Sequence, residues 1–122
     1  MKLLIKQCDN DGRLALVAPF LDPSWQIVVA DENDPNAFSR AVAQASAMIS
    51  MDWSWDIAAP ELKLLHLPGA GTDEIQFSKL PAATTVCNIF GHDIGIAEYV
   101  MAGMLEMTLG LRAMDQALRQ GR

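Results

Sequence analysis

The residues best suited to chemistry lie in the second half of the chain. Gly69-Ala70-Gly71 follows directly on the apolar run LKLLHL, and His92-Asp93 opens a long apolar stretch. Glycines on either side of one residue let the chain turn with positive φ and let a ligand approach the main chain closely. Successive N–H groups in such a turn can form a concavity that holds an anion. A plain tight turn has the same composition, so the signal depends on its surroundings. His92 beside Asp93 either organises a helix start or contacts a substrate. A helix N-terminus disfavours a cation, so a neutral imidazole suits that place. His66 sits within an apolar run and reads as a core or edge histidine. Asp73 reads as a turn-organising carboxylate.

The elements that must position these residues alternate. Residues 2–7 form a short apolar strand, followed by a turn cluster of Asp9, Asn10, Asp11 and Gly12. Residues 13–21 carry apolar side chains at helical spacing and end by Pro23. Residues 25–30 (WQIVVA) are a continuous, largely β-branched strand of the kind covered on both faces. Asp34 before Pro35 is an N-cap followed by a favoured first helical residue, which predicts a helix to about Ala45. Residues 47–51 give a third strand, 62–67 a fourth and 84–89 a fifth, with a short helical turn at 76–80 between the last two. Strand and helix in alternation argue an α/β fold. The expected form is a flavodoxin-like three-layer sandwich around a five-stranded parallel sheet of order 2-1-3-4-5, with a long C-terminal crossing helix. Ligands in such sheets bind beyond the carboxyl ends of the strands. Residues 8–12, 51–56, 68–73 and 90–93 occupy those ends.

Composition narrows the classes of function. The 122-residue chain is 51% hydrophobic and 20% charged, which is ordinary for a globular protein. Its net charge is −6 and its Lys and Arg are scattered, which excludes a basic stripe for nucleic acid. Cys8 and Cys87 are far apart, without metal-ligand spacing, and read as free thiols of a reducing compartment. No metal site is expected. The N-terminus is too short for a signal peptide, and Glu98 and Glu106 interrupt the best candidate for a membrane span. A cytoplasmic protein with no membrane partner is the expectation.

The C-terminal helix is the element that overshoots. Asp93 is the expected cap and Gly121 the stop signal. A continuous helix from 93 to 120 would run about 42 Å, against about 30 Å for a globule made of the first 92 residues. Ala97, Met101, Met104, Thr108 and Leu111 form one stripe. Ile96, Val100, Gly103, Met107, Gly110 and Met114 form another. The two cover more of the circumference than the single stripe of a surface helix. The expected division is therefore a domain at 1–92 and a partner-seeking helix at 93–122, with homo-oligomerisation through residues 94–118.

The segment LKLLHLPGAGTDEI (62–75), with VCNIFGHDIGIAEYV (86–100), resembles the D-isomer-specific 2-hydroxyacid dehydrogenase family. Members show a strand, a GAGxD-like turn, a second strand ending in Asn, and a helix opening with Ala-Glu. Here those features are Gly69 to Asp73, Cys87-Asn88 and Ala97-Glu98. The resemblance covers mainly residues 60–112. It implies two α/β domains with a cofactor cleft between them, and this sequence is similar to the smaller domain plus the crossing helix. It further implies NAD or NADP as cofactor and a small 2-hydroxy or 2-keto acid as substrate. The missing Rossmann domain, and the Arg, His and Glu that perform catalysis, would follow position 122. No catalytic and no cofactor-binding residue is thus carried over. The G-x-G-x-x-G fingerprint is absent, since GAGTDE lacks the third glycine and opens no long helix. The substrate side does carry over: Gly69, Ala70 and Gly71 toward the carboxylate, Met51 and Trp53 (with Trp55) shaping the side-chain pocket, and His92, with Phe90, facing the cleft. The chain alone is expected to turn nothing over.

Two other readings compete. A stand-alone small-ligand-binding or oligomerisation module derived from that family would use the same turn and helix. A phospho-acceptor receiver domain shares the strand order, and Asp9, Asp11 and Asp52 match its acidic set. It would need a hydroxyl residue where Leu67-Pro68-Gly69 stands and a Lys where Asn88 stands.

Overall fold

A computed structural model of the chain describes residues 1–7 and 12–122. The turn cluster expected at Asp9, Asn10 and Asp11, and the thiol of Cys8, lie outside the described residues. The chain divides into two compact units, Met1–Ile89 and Phe90–Arg122.

The first unit is an α/β fold on one five-stranded, all-parallel sheet of order β2-β1-β3-β4-β5. Its strands are β1 (Lys2–Lys6), β2 (Gln26–Ala30), β3 (Ala47–Ile49), β4 (Leu64–His66) and β5 (Thr85–Cys87). β1 pairs with β2 from Lys2↔Gln26 to Lys6↔Ala30, and with β3 from Leu3↔Ala47 to Ile5↔Ile49. Side chains alternate across the sheet with period two. Leu4, Met48 and Leu65 therefore share one face, where they pack with Phe38 and Val42 of α2 (Pro35–Ala43), Trp53, Leu62 and Leu67. Leu3, Ile5, Ala47 and Ile49 share the other, against Leu14 and Val17 of α1 (Arg13–Val17), and Leu21. Helices on both faces of a parallel sheet make the three layers the strand runs predicted.

Local chemistry explains the boundaries. Asp34 caps α2 by accepting the Ala37 N–H at 3.0 Å, and Pro35 takes the first turn. The helix expected to run to Leu21 gives way to a 3-10 turn at Ala18–Phe20, because Pro19 has no N–H to continue the ladder. A second 3-10 turn, Phe77–Lys79, lies between β4 and β5.

The second unit holds α3 (His92–Leu109) and α4 (Leu111–Arg119). The single helix expected from 93 to 120 is thus two, bent by 57° at Gly110. Gly110 stands at φ 64°, a left-handed conformation that costs an L side chain about 1–2 kcal/mol and glycine nothing. Its N–H ends α3 on the Glu106 carbonyl at 2.8 Å, while the Glu106 Oε1 accepts the Arg112 N–H at 3.3 Å. One residue therefore satisfies main-chain donors on both sides of the break. The expected cap at Asp93 is also corrected: Gly91 holds the cap position, and Asp93 lies in the first turn. Its charge there favours the positive helix end. Gly121 does end α4. The Arg122 N–H reaches the Ala117 carbonyl at 2.8 Å and the Gly121 N–H reaches Leu118 at 3.0 Å, the paired bonds of a Schellman stop. Among the described residues no single helix is long and apolar enough to cross a membrane. α3 and α4 pass that test only together.

Candidate functional site

The carboxyl ends of β3, β4 and β5 meet at the glycine turn. The chain leaves β4 with the Leu67 N–H donated to the Cys87 carbonyl at 2.7 Å, and the Ile89 N–H comes back to the Gly69 carbonyl at 3.3 Å. Between these bonds, Asn88 Nδ2 donates to the Ala70 carbonyl at 2.8 Å. Among the described residues there are no cis peptide bonds. In a planar trans peptide the carbonyl and the following N–H point opposite ways. Asn88 therefore fixes the Gly71 N–H on the side away from itself. Among the described residues, nothing accepts the N–H groups of Gly69, Ala70 or Gly71. Ala70 and Gly71 are exposed. The Ala70–Gly71 peptide is thus held in place by a side-chain amide beside N–H groups that no described residue accepts.

The reason for the glycines differs from the expected one. Neither Gly69 nor Gly71 has positive φ. At Gly69 the cause is contact: a Cβ would stand 2.8 Å from Met51 Cε and 3.2 Å from Sδ. The loop after β3 thus lays Met51 across the turn, with 37% of the residue exposed. At Gly71 a Cβ would meet only Asp73 Oδ2, at 3.8 Å. Internal packing leaves that position open.

Trp53 requires a correction. It is fully buried, not a pocket wall. Its N–H donates to the Glu74 carbonyl at 3.0 Å, its carbonyl accepts from Gln76 at 2.7 Å, and its Nε1 donates to the Lys79 carbonyl at 3.3 Å. Trp55 meets its ring edge-on at 5.6 Å and Phe38 at 4.9 Å. Trp53 therefore ties the loop after β3 to the segment after the glycine turn and sets where Met51 and Gly69 meet. A ligand does not touch it. His92 opens α3 in the second unit, exposed, as is Phe90. His66 is half-buried on β4, and its carbonyl accepts the Ser50 N–H.

One cluster escaped the sequence. Lys6, at the end of β1, is 5% exposed. Its ammonium pairs with Asp52, lies 3.4 Å from Glu32 Oε2 and stands 5.5 Å from the Trp55 ring centroid. Buried Ser50 donates to Asp52 Oδ1 at 2.9 Å. A lysine ending an apolar strand was the available signal, since such a charge must find a partner when buried. The cluster fixes the start of the loop that carries Met51. It also gives Asp52 a lysine and a serine as partners.

The turn after β4 leads into residues 72–76 and a 3-10 turn, not a long helix, so no pyrophosphate could rest on a helix end there. Among the described residues no group of three or more His, Cys, Asp or Glu could hold a metal ion. Compared with known proteins, the chain matches no family model and no curated sequence.

Proposed function

We propose that this chain is the substrate-binding part of an oxidoreductase that passes a hydride between NAD(P) and a D-2-hydroxy or 2-keto acid. The observation that carries the reading is the exposed Ala70–Gly71 peptide, held by Asn88 at the carboxyl end of a parallel sheet, where no described residue accepts the N–H groups of Gly69, Ala70 or Gly71. A substrate carboxylate would accept from those donors, with Met51 as the apolar wall beside the acid's side chain. Main-chain donors of this kind bind an anion without a cation, which suits a chain of net charge −6. The nicotinamide and the proton-transferring groups belong, in this reading, to a second domain, and the chain alone has no turnover. The motif resemblance at residues 60–112 supports the assignment.

Amide NMR of the chain tests it. Glyoxylate should move the Gly69, Ala70 and Gly71 signals, and acetaldehyde, which lacks the carboxylate, should not. Equal responses, or none at these amides, would sink the reading. Oxidation of glycolate with NAD above blank would sink the expectation of no turnover.

A further inference from the structure

We propose a second binding site in the first unit: the cavity between α2 and the sheet takes a small carboxylate with a short aliphatic body. Protein interiors are close-packed and leave few voids larger than a water molecule. Here a cavity of about 250 Å³ opens where α2 ends and β1 begins. That is the opposite end of the strands from the glycine turn. Its apolar lining is Leu4 and Ala45, both buried, with Val28 and Ala41 half-buried. All four belong to the core on the α2 face of the sheet. Ala41 and Ala45 lie four residues apart, and their small side chains leave the space that a leucine would fill.

The polar lining selects the ligand's charge. It consists of Lys2, Arg40 and Gln44, with no acid, in a chain of net charge −6. The Lys2 ammonium donates to Gln44 Oε1. Its other two hydrogens and the Gln44 side-chain NH₂ find no acceptor among the described residues. The Arg40 guanidinium finds none there either. The unmet groups are therefore all donors, and two of the three carry positive charge. Arg40 stands in the last turn of α2, where a cation favours the negative helix end. That accounts for one arginine, not for a lysine and an arginine on one apolar cavity. The planar guanidinium matches a carboxylate through two parallel hydrogen bonds. The apolar lining takes methylenes, which an inorganic anion does not have. The volume falls below the range of about 300–1,000 Å³ usual for drug-sized ligands, so the acid is a small one.

Amide NMR of the full chain with hexanoate as the probe tests the site. The signals of Lys2, Ala41, Gln44 and Ala45 should move. From propionate to hexanoate, each added methylene should tighten binding about fourfold, the worth of one buried methylene. Hexanamide, which keeps the body and lacks the charge, should leave these signals in place. Lys2→Met with Arg40→Met should weaken hexanoate binding at least about tenfold, the loss of its charged donors. Arg40 is exposed and Lys2 half-buried, so thermal unfolding of that variant should match the parent. Ala41→Leu should block hexanoate by filling the cavity. The proposal is overturned by silence of these four amides, by an equal response to hexanamide or to inorganic phosphate, or by undiminished binding in the double variant. The amides of the glycine turn, at the other end of the sheet, report on the first site separately.

Discussion

The strands of the first unit and helix α3 of the second are both written as runs of apolar residues, yet only the strands are buried. Leu3, Leu4 and Ile5 of β1 disappear on two faces because two neighbours pair with the strand and helices cover it. α3 has the same kind of composition and no buried residue. The contrast separates two uses of apolar sequence. In residues 1–89 it is consumed by folding, and in helices α3 and α4 it stays exposed.

The widest expected gap tests that division directly. Trp53→Ala removes a fully buried ring and its Nε1 bond to the Lys79 carbonyl and should lower unfolding free energy by about 3–5 kcal/mol. Met107→Ala removes a side chain that is 90% exposed and should change the same transition by less than about 0.5 kcal/mol. Urea denaturation followed by tryptophan fluorescence reads both. Comparable losses would mean that α3 belongs to the core after all.

Gly110 is the next step down. An alanine there would cost about 1–2 kcal/mol in the left-handed conformation and would favour a helix interior by about 1 kcal/mol over glycine. Both terms push toward the continuous helix that the residue pattern alone suggests. Spin labels at Ile96 and Leu118 should move apart in Gly110→Ala as the 57° bend is lost. An unchanged distance would show that the Glu106 contact to Arg112, rather than the glycine, holds the bend.

These two sites also mark how far the sequence could be read. Strand order, the cover on both faces of the sheet and the α2 cap were legible, because they rest on continuous apolar runs alternating with helices and on local capping by Asp34 and Pro35. The break at Gly110 was not, because a glycine at an apolar helix position fits either a close helix approach or a left-handed kink. The acceptor that decides between them is the side chain of Glu106. At the candidate site, the turn and its neighbour Met51 were legible from strand ends. The burial of Trp53 was not, because alternation in an irregular loop does not say which side faces the core. Asn88 was visible as a residue type and silent as a role until its amide met the Ala70 carbonyl.

A smaller effect checks the local rule that was read correctly. Asp34→Ala should lower stability by about 1 kcal/mol, by leaving the Ala37 N–H without its acceptor. Thermal unfolding of the first unit measures it. An unchanged melting transition would show that the cap adds nothing to the first unit.

The smallest stability effects fall at the glycine turn, where they carry the most information about ligand. Gly69→Ala brings a methyl to 2.8 Å from Met51 Cε, and the far end of a methionine yields at a cost of about 0.5–1.5 kcal/mol. Met51→Ala in the same chain should return that cost, since the obstruction is gone. Gly71→Ala meets nothing closer than 3.8 Å and has no positive φ to strain, so its melting should match the parent. Its methyl would nonetheless stand in front of the exposed donors. Weaker amide shifts with glyoxylate at unchanged stability would therefore identify Gly71 as a place kept bare for a ligand. An unimpaired response would reduce the turn to plain chain reversal and leave the carboxylate reading without its seat.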